Sequence, residues 1–335
     1  MRIFKRKLYD KLLEWKNNRH GKTAVLIEGA RRVGKSTLTK QFAENEYESY
    51  VMIDFSIVRD DVLELFNHID DLDYFFLQLQ FRLGVSLKER KSLVIFDEVQ
   101  KCPKARQAIK HLVADGRYDY IETGSLISIK KNVKDILIPS EEEKLFLYPM
   151  DYEEFKWALG DNTAIPQLRM LFDKKLSIGD AVTRKLMRDF RIYMVVGGMP
   201  QAVDTYIDTN NLMEVDRVKR NIIQLYEDDF YKIDSSGRLS MLFDAIPAQL
   251  NSNASRYQVA SAIGNNTDSE KVLQLISELR ESMTINMAYH ANDPGVGMSL
   301  VMNLNKYKMY IGDTGLFITV AFKDKDFTEN IIYPK

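Results

Sequence analysis

Apolar positions follow two regimes along the chain. Up to about residue 157, short apolar runs alternate with stretches whose apolar residues recur every three or four positions. Ala24-Val25-Leu26-Ile27 and Leu93-Val94-Ile95-Phe96 are continuously apolar, as strands buried on both faces must be. The pattern predicts strands at 23–27, 50–54, 93–96 and 118–123, with a short one at 145–148. Between them it predicts helices at 36–43, 61–66, 72–83 and 104–114. Such alternation argues for an α/β fold, a parallel sheet with helices on both faces. A helix is expected before the sheet, within 1–22, where Ile3, Leu8, Leu12 and Trp15 share one face and pack on the core. Ile138-Pro139-Ser140 and the consecutive acids Glu141, Glu142 and Glu143 are expected to form a solvated loop ahead of the last strand.

Beyond residue 157 the period becomes helical, most clearly over 180–194 and 211–231. Between those helices, Val195-Val196-Gly197-Gly198-Met199-Pro200 is an obligate break, with paired glycines and then a proline. The expected organisation is an N-terminal helix (1–22), a sheet domain (23–157), a helical lid (158–238) and a winged-helix-like domain (239–320). Residues 321–335 then begin a further domain. In the winged-helix segment a short helix spans 256–263, followed by a turn at Gly264-Asn265-Asn266. A longer helix runs 268–281, with Asp268 as its N-cap and Val272, Leu275, Ile276 and Leu279 on one face. Alternating runs near 284–289 and 298–304 are the expected wing strands.

Composition narrows the partners. A length of 335 residues favours two domains over one. Lys+Arg 47 against Asp+Glu 48 gives a net charge of −1, so no global basic field recruits nucleic acid. The longer helix of the winged-helix segment offers Lys271 and Arg280 but also Glu270, Glu278 and Glu281, a poor footprint for phosphates. The single cysteine, Cys102, excludes an intramolecular disulfide and fits a reducing cytoplasm. His20, His68, His111 and His290 lack ligand spacing. No apolar run approaches the ~18 residues that span a membrane. The basic residues Arg2, Lys5, Arg6 and Lys7 are followed by no apolar signal region.

The chemistry is concentrated in Gly29-Ala30-Arg31-Arg32-Val33-Gly34-Lys35-Ser36, which fits G-x-x-x-x-G-K-[ST]. An apolar strand precedes it, and a helix starting with Thr37 follows, the context this phosphate-binding loop needs. Its glycines let the backbone N–H groups point inward at phosphate oxygens, and the helix N-terminus adds partial positive charge. In that reading Lys35 neutralises the β- and γ-phosphates and Ser36 ligates Mg²⁺. The run 93–96 then delivers Asp97 and Glu98 to the C-terminal edge of the sheet, where doubly wound folds bind ligands. Asp97 is the expected Mg²⁺ partner and Glu98 the group that polarises the attacking water. A third strand ends in Thr123-Gly124-Ser125. Ser125 is the first candidate for a polar sensor of the γ-phosphate and Thr123 the second.

These runs, with Asp97-Glu98-Val99-Gln100, Leu147-Tyr148-Pro149-Met150, Gly197-Gly198-Met199-Pro200 and Tyr310-Ile311-Gly312-Asp313-Thr314-Gly315-Leu316, resemble a group of prokaryotic AAA-superfamily ATPases. The second half of those proteins combines a winged helix with a restriction-endonuclease-like end. The resemblance runs in order over nearly the whole chain. It implies ATP and Mg²⁺ as ligands, carried here by Gly34, Lys35, Ser36, Asp97 and Glu98. Two departures stand out. The sequence ends at Lys335, without room for the nuclease-like fold, so no nuclease activity is expected of it. The loop after Ser125 lacks the Gly-Arg pair associated with the family and carries Lys131 and Asn132 instead. Charge-stabilising arginines are then sought among Arg184, Arg188, Arg191, Arg217 and Arg220.

The expected function is Mg²⁺-dependent hydrolysis of ATP, coupled to movement of the lid and winged helix, in a cytoplasmic protein that self-assembles. The alternative is a nucleotide-dependent switch, or a DNA- or protein-binding module with little turnover. A DNA-processing role rests on family analogy and the winged helix alone.

Overall fold

The computed structural model describes residues 2–124, 141–264, 268–293, 295, 297 and 302–323. The chain divides into two compact units, residues 5–147 and a second formed by 1–4 with 148–335. The expected boundary at 157 lies about ten residues further along. Residues 152–158 instead belong with the helices that follow them.

In the first unit, α1 (Lys7–Arg19) leads into β1 (Ala24–Glu28), α2 (Lys35–Glu46), β2 (Ser49–Asp54), α3 (Asp60–Leu65), α4 (Leu72–Leu83), β3 (Ser92–Asp97), α5 (Pro103–Asp115), β4 (Asp119–Gly124) and β5 (Glu142–Phe146). The strands form one parallel sheet in the order β2-β3-β4-β1-β5. The expected elements are present with ends moved by a few residues. Both β1 and β3 are buried at every position, which is why their sequences do not alternate. One face packs Leu26, Val94 and Phe96 against Val62, Phe75, Phe76, Leu79, Ile109 and Leu112 of α3, α4 and α5. On the other lie α2, which contributes Leu38 and Phe42, and α1, which buries Leu8, Leu12 and Trp15. Ile3 precedes that helix and is exposed.

The expected acidic loop before the last strand is not a loop. Glu142, Glu143 and Lys144 lie within β5, paired to Ala24, Val25 and Leu26. Their side chains are accommodated one by one. Glu143 accepts hydrogen bonds from Arg19 and Thr23, and Lys144 lies 3.7 Å from Glu28. Glu142 is buried with Glu122 of β4 and Arg106 of α5, each 1% exposed or less. The Arg106 guanidinium lies 2.8 Å from Glu142 and 3.2 Å from Glu122. Burial pushes the Glu122 carboxyl well above its ordinary range against the pull of Arg106, and Glu142 beside it adds to the rise.

The second unit begins with α6 (Tyr152–Ala158), α7 (Ala164–Asp173), α8 (Asp180–Val196), α9 (Pro200–Thr209) and the long α10 (Leu212–Ile233). It continues with α11 (Arg238–Asp244), α12 (Ile246–Asn251), α13 (Val259–Ile263), α14 (Ser269–Glu281), an antiparallel hairpin of β6 (Ile285–Ala291) and β7 (Met302–Ile311), and α15 (Thr314–Ala321). Of the expected face on α14, Leu275, Ile276 and Leu279 are buried. Asp268 occupies the N-cap position of α14 without a side-chain cap bond. The short helix starts at Val259 rather than 256 because Tyr257 is used otherwise. Its N–H donates to Tyr307 O at 2.7 Å and its hydroxyl to Leu242 O at 2.7 Å. Residues 265–267 and 298–301, parts of the expected turn and second wing strand, lie outside the described residues, as do 324–335.

Three of the motif runs meet in this unit. The N–H of Met150 donates to Gly198 O at 2.7 Å, and the N–H of Gly198 donates to Asp313 Oδ2 at 2.5 Å. Asp313 also caps α15 through the N–H of Leu316 at 2.8 Å. Lys219 of α10, fully buried, donates to Val195 O at 2.8 Å and Gly315 O at 3.2 Å. Burial pushes this ammonium down to about 8 and the Asp313 carboxyl up. A Cβ on Gly198 would lie 1.9 Å from Met150 O, and one on Gly315 would lie 2.4 Å from Val196 O. Only glycine allows so close an approach of backbones.

The Arg106 cluster yields a stability prediction. Arg106→Ala strands two buried carboxyls and should cost about 3–5 kcal/mol in urea denaturation, whereas Arg106→Met with Glu122→Leu and Glu142→Leu should recover most of it. A single variant as stable as the parent would mean that the guanidinium is not what holds the two acids.

Candidate nucleotide site

The loop between β1 and α2 has the backbone its sequence demands. Gly34 has φ 98° at the N-cap of α2, and Arg32 has φ 69°. A Cβ on Gly29 would lie 2.3 Å from Leu147 O, so the loop starts against the chain just after β5. Ala30 and Val33 are buried and anchor the loop, while Arg31 and Arg32 are exposed at its crest. Thr37 and Ser36 are half-buried in the first turn of α2. Lys35 is buried and folds back over the loop, donating to Gly29 O at 2.9 Å and Ala30 O at 3.1 Å. Burial pushes its ammonium down, opposed by the nearby acids Glu98 and Asp97.

Across the edge of the sheet, β3 brings Asp97 to the same place. Ser36 Oγ donates to Asp97 Oδ1 at 2.9 Å, and the Thr123 hydroxyl donates to the same oxygen. Burial pushes the Asp97 carboxyl up, against the lowering effect of those two hydroxyls. Asp54, paired with Asp97 in register at the end of β2, adds a third carboxylate to this edge. Its Oδ1 accepts from Ser56 N at 2.8 Å.

Glu98 has a left-handed backbone, φ 55° and ψ 46°, directly ahead of a single 3₁₀ turn over Val99–Lys101. For a residue other than glycine that conformation is strained, by about 1 kcal/mol or more. The N–H of Glu98 donates to Thr123 Oγ1 at 3.3 Å, and its Oε2 accepts from the Gln100 side-chain amide. Thr123, fully buried, thus touches both acids of the β3 end. It was the second sensor candidate. The first, Ser125, lies outside the described residues, as do Lys131 and Asn132.

Two residues here make contacts that the sequence does not announce. In the sequence Arg6 belongs to the basic residues Arg2, Lys5, Arg6 and Lys7, which no apolar signal region follows. In the structure it sits just before α1, 5% exposed, and its Nη1 donates to Val33 O at 2.8 Å. A cation thus supports the outer, carbonyl side of the loop. Nothing in the periodicity marks it, because Arg6 precedes the helix. Gln100 adjoins the acidic pair but carries no charge pattern of its own. Of the five arginines considered as charge stabilisers, all lie in the second unit. Arg217 pairs with Glu214 at 2.9 Å and Arg220 with Asp216 at 2.7 Å, while Arg188 lies 3.7 Å from Asp189. Arg184 and Arg191 are exposed.

Comparison with known proteins agrees with this geometry. Residues 21–156 match the family model described as AAA domain. Residues 187–326 match the one described as Domain of unknown function (DUF8612). No curated protein matches the chain. Among solved structures, the Walker-type ATPase PABY2304 of Pyrococcus abyssi is similar over 95% of this chain and 96% of its own, at 16% identity and a TM-score of 0.53. Looser likenesses include the Orc1 protein of Aeropyrum pernix in complex with DNA, over 96% and 93% of the two chains, at 10% identity and TM-score 0.32. AMPPCP-bound DnaA from Aquifex aeolicus covers 82% and 88%, at 11% identity and TM-score 0.36. The first unit therefore has a P-loop ATPase-like α/β fold, and residues 21–156 within it are what match the AAA domain model.

Losing the Arg6 guanidinium would leave a buried carbonyl without that donor, a cost of about 1–3 kcal/mol. In Arg6→Ala, amide hydrogen exchange over residues 30–36 should accelerate by tenfold or more in the nucleotide-free protein. Unchanged protection would show that the loop holds its shape without this support.

Proposed function

We propose that this protein binds ATP in the loop 29–37 and hydrolyses it with Mg²⁺. The observation that carries the reading is the 2.9 Å bond between Ser36 Oγ and Asp97 Oδ1. It joins the loop hydroxyl and the strand carboxylate, a donor set suited to a hard, oxygen-seeking cation. The same residues fit a nucleotide: Gly29, Ala30, Arg31, Arg32, Val33, Gly34 and Thr37 supply a curled backbone at a helix N-terminus, and Lys35 supplies a buried cation.

In this reading the loop amides and Lys35 hold the β- and γ-phosphates, while Ser36 and Asp97 hold the metal. Mg²⁺ held by Ser36 and Asp97 would supply positive charge that neutralises the phosphates. Glu98 orients a water and takes its proton as the water oxygen bonds to the γ-phosphorus. The bond from that phosphorus to the β–γ bridging oxygen breaks, and ADP leaves. Thr123, in contact with both acids, keeps them in register, and Ser125 remains the proposed γ-phosphate sensor. Phosphoryl transfer needs chiefly positioning and charge neutralisation, which these residue types provide.

The second unit is proposed to turn nucleotide state into movement, with a lid over 158–238 and a winged helix over 239–320. The order α13, α14, β6, β7 supports the latter. The mixed charges of α14 favour a protein partner over DNA on that face. Self-assembly, in which a neighbouring copy supplies an arginine to the γ-phosphate, fits the superfamily. Among the described residues no helix is long and apolar enough to cross a membrane, and we infer a cytoplasmic location.

Mg²⁺-dependent ATP hydrolysis measured over a range of protein concentrations tests the reading. Lys35→Ala should abolish nucleotide binding, and Glu98→Gln should keep binding while hydrolysis falls by at least about 100-fold. Turnover by Glu98→Gln at the parental rate would remove Glu98 from its role. Specific activity that stays flat on dilution would remove assembly from the mechanism.

A further inference from the structure

We infer that Gln100 is the positioning residue for Glu98, bracing its carboxylate so that one oxygen is fixed and the other is presented to water. The inference rests on the proposed role of Glu98 and assigns its support to a specific side chain.

Three observations converge on it. Gln100 is 4% exposed, so its amide is not an interchangeable surface donor. It donates to Glu98 Oε2 from only two residues away. The segment between them is locked: the N–H of Lys101 bonds Glu98 O at 3.0 Å, and the N–H of Cys102 bonds Val99 O at 3.0 Å.

The backbone of Glu98 shows what this arrangement achieves. A left-handed residue at the end of a strand sends its side chain off the line that β3 would otherwise give it. Such strain persists only where the surroundings over-determine the conformation. Here two contacts do so, one at each end of the residue. The Thr123 hydroxyl holds the Glu98 N–H, and the Gln100 amide holds the Glu98 carboxylate. A carboxylate with several free rotamers would spend most of its time misaligned. Fixing one oxygen with a charge-assisted donor removes that freedom before any water arrives.

The test compares Gln100→Met, which keeps length and volume without the donor, with Gln100→Glu, which puts a second carboxylate in its place. For Gln100→Met we expect kcat for ATP to fall at least tenfold, with KM and nucleotide affinity within twofold of the parent. For Gln100→Glu we expect kcat to fall at least tenfold with KM again within twofold, since a carboxylate in that place offers Glu98 no donor. A purely structural Gln100 would lower kcat only in step with the loss of folded protein and nucleotide affinity. Parental kcat in Gln100→Met overturns the inference, and so does a rise in kcat, which would make the contact a restraint instead.

A crystal structure of Gln100→Met separates this inference from the ATPase reading, because it needs no turnover. A Glu98 carboxylate found in a new rotamer supports the brace. One found unmoved overturns it, whether or not the parent protein hydrolyses ATP.

Discussion

One buried oxygen organises the first unit. Asp97 Oδ1 receives the hydroxyls of Ser36 and Thr123, so it ties the loop after β1 and the ends of β3 and β4 into one corner. A carboxylate that deep is tolerated only when its lone pairs are used. The strand order follows the same need. With β4 inserted between β1 and β3, Thr123 falls beside Asp97 and Glu98, and the loop after β1 reaches across the end of β4 to Asp97. A parallel sheet is required for all three chain ends to finish at one edge. Full burial of β1 and β3 then holds that edge rigid.

What the sequence disclosed is what is written in fixed residue types at fixed spacing. The loop 29–36 and the pair Asp97-Glu98 were legible for that reason. The strands leading to them were legible because a strand covered on both faces has no polar positions to confuse the pattern. What it concealed depends on partners far away along the chain. Glu142 looks like any acid in a charged run. Its partner Arg106 is 36 residues away, and no local pattern announces that the two will be buried together. Arg6 was hidden in the same way, since its acceptor is a backbone carbonyl that leaves no trace in composition. The early start expected for α13 failed at Tyr257, whose backbone is claimed by Tyr307 some fifty positions on. Helix propensity loses such contests to tertiary hydrogen bonds.

Charge is handled differently in the two units. In the first, buried ions gather where chemistry is proposed, at Lys35 and Asp97, and once more behind the sheet at Arg106. In the second they serve as mortar. Lys219 and Asp313 fill backbone acceptors and donors that helix ends would otherwise leave unsatisfied. Burial pushes the Lys219 ammonium down and the Asp313 carboxyl up, and hydrogen bonds to the main chain hold both in place. That explains the glycines around them: side chains at 198 and 315 would push apart the backbones that these two groups join.

The bond from Gly198 to Asp313 spans 115 positions, and this has a consequence for synthesis on the ribosome. Chain emerging in order presents Met150, Gly198 and Lys219 long before the residues that complete their junction. Contacts so distant in sequence form late, after the entropy of a long loop has been overcome. Until residues 313–316 leave the exit tunnel, the faces of α8 and α10 that pack on α15 lack that partner. The first unit has a contact just as distant, the pairing of β1 with β5, but that strand ends at Phe146, so the unit can fold while the remainder is still being made. A cell producing this protein therefore handles, for a time, a finished nucleotide domain trailing an unfinished helical one, and that interval is when a chaperone or a partner has its best access.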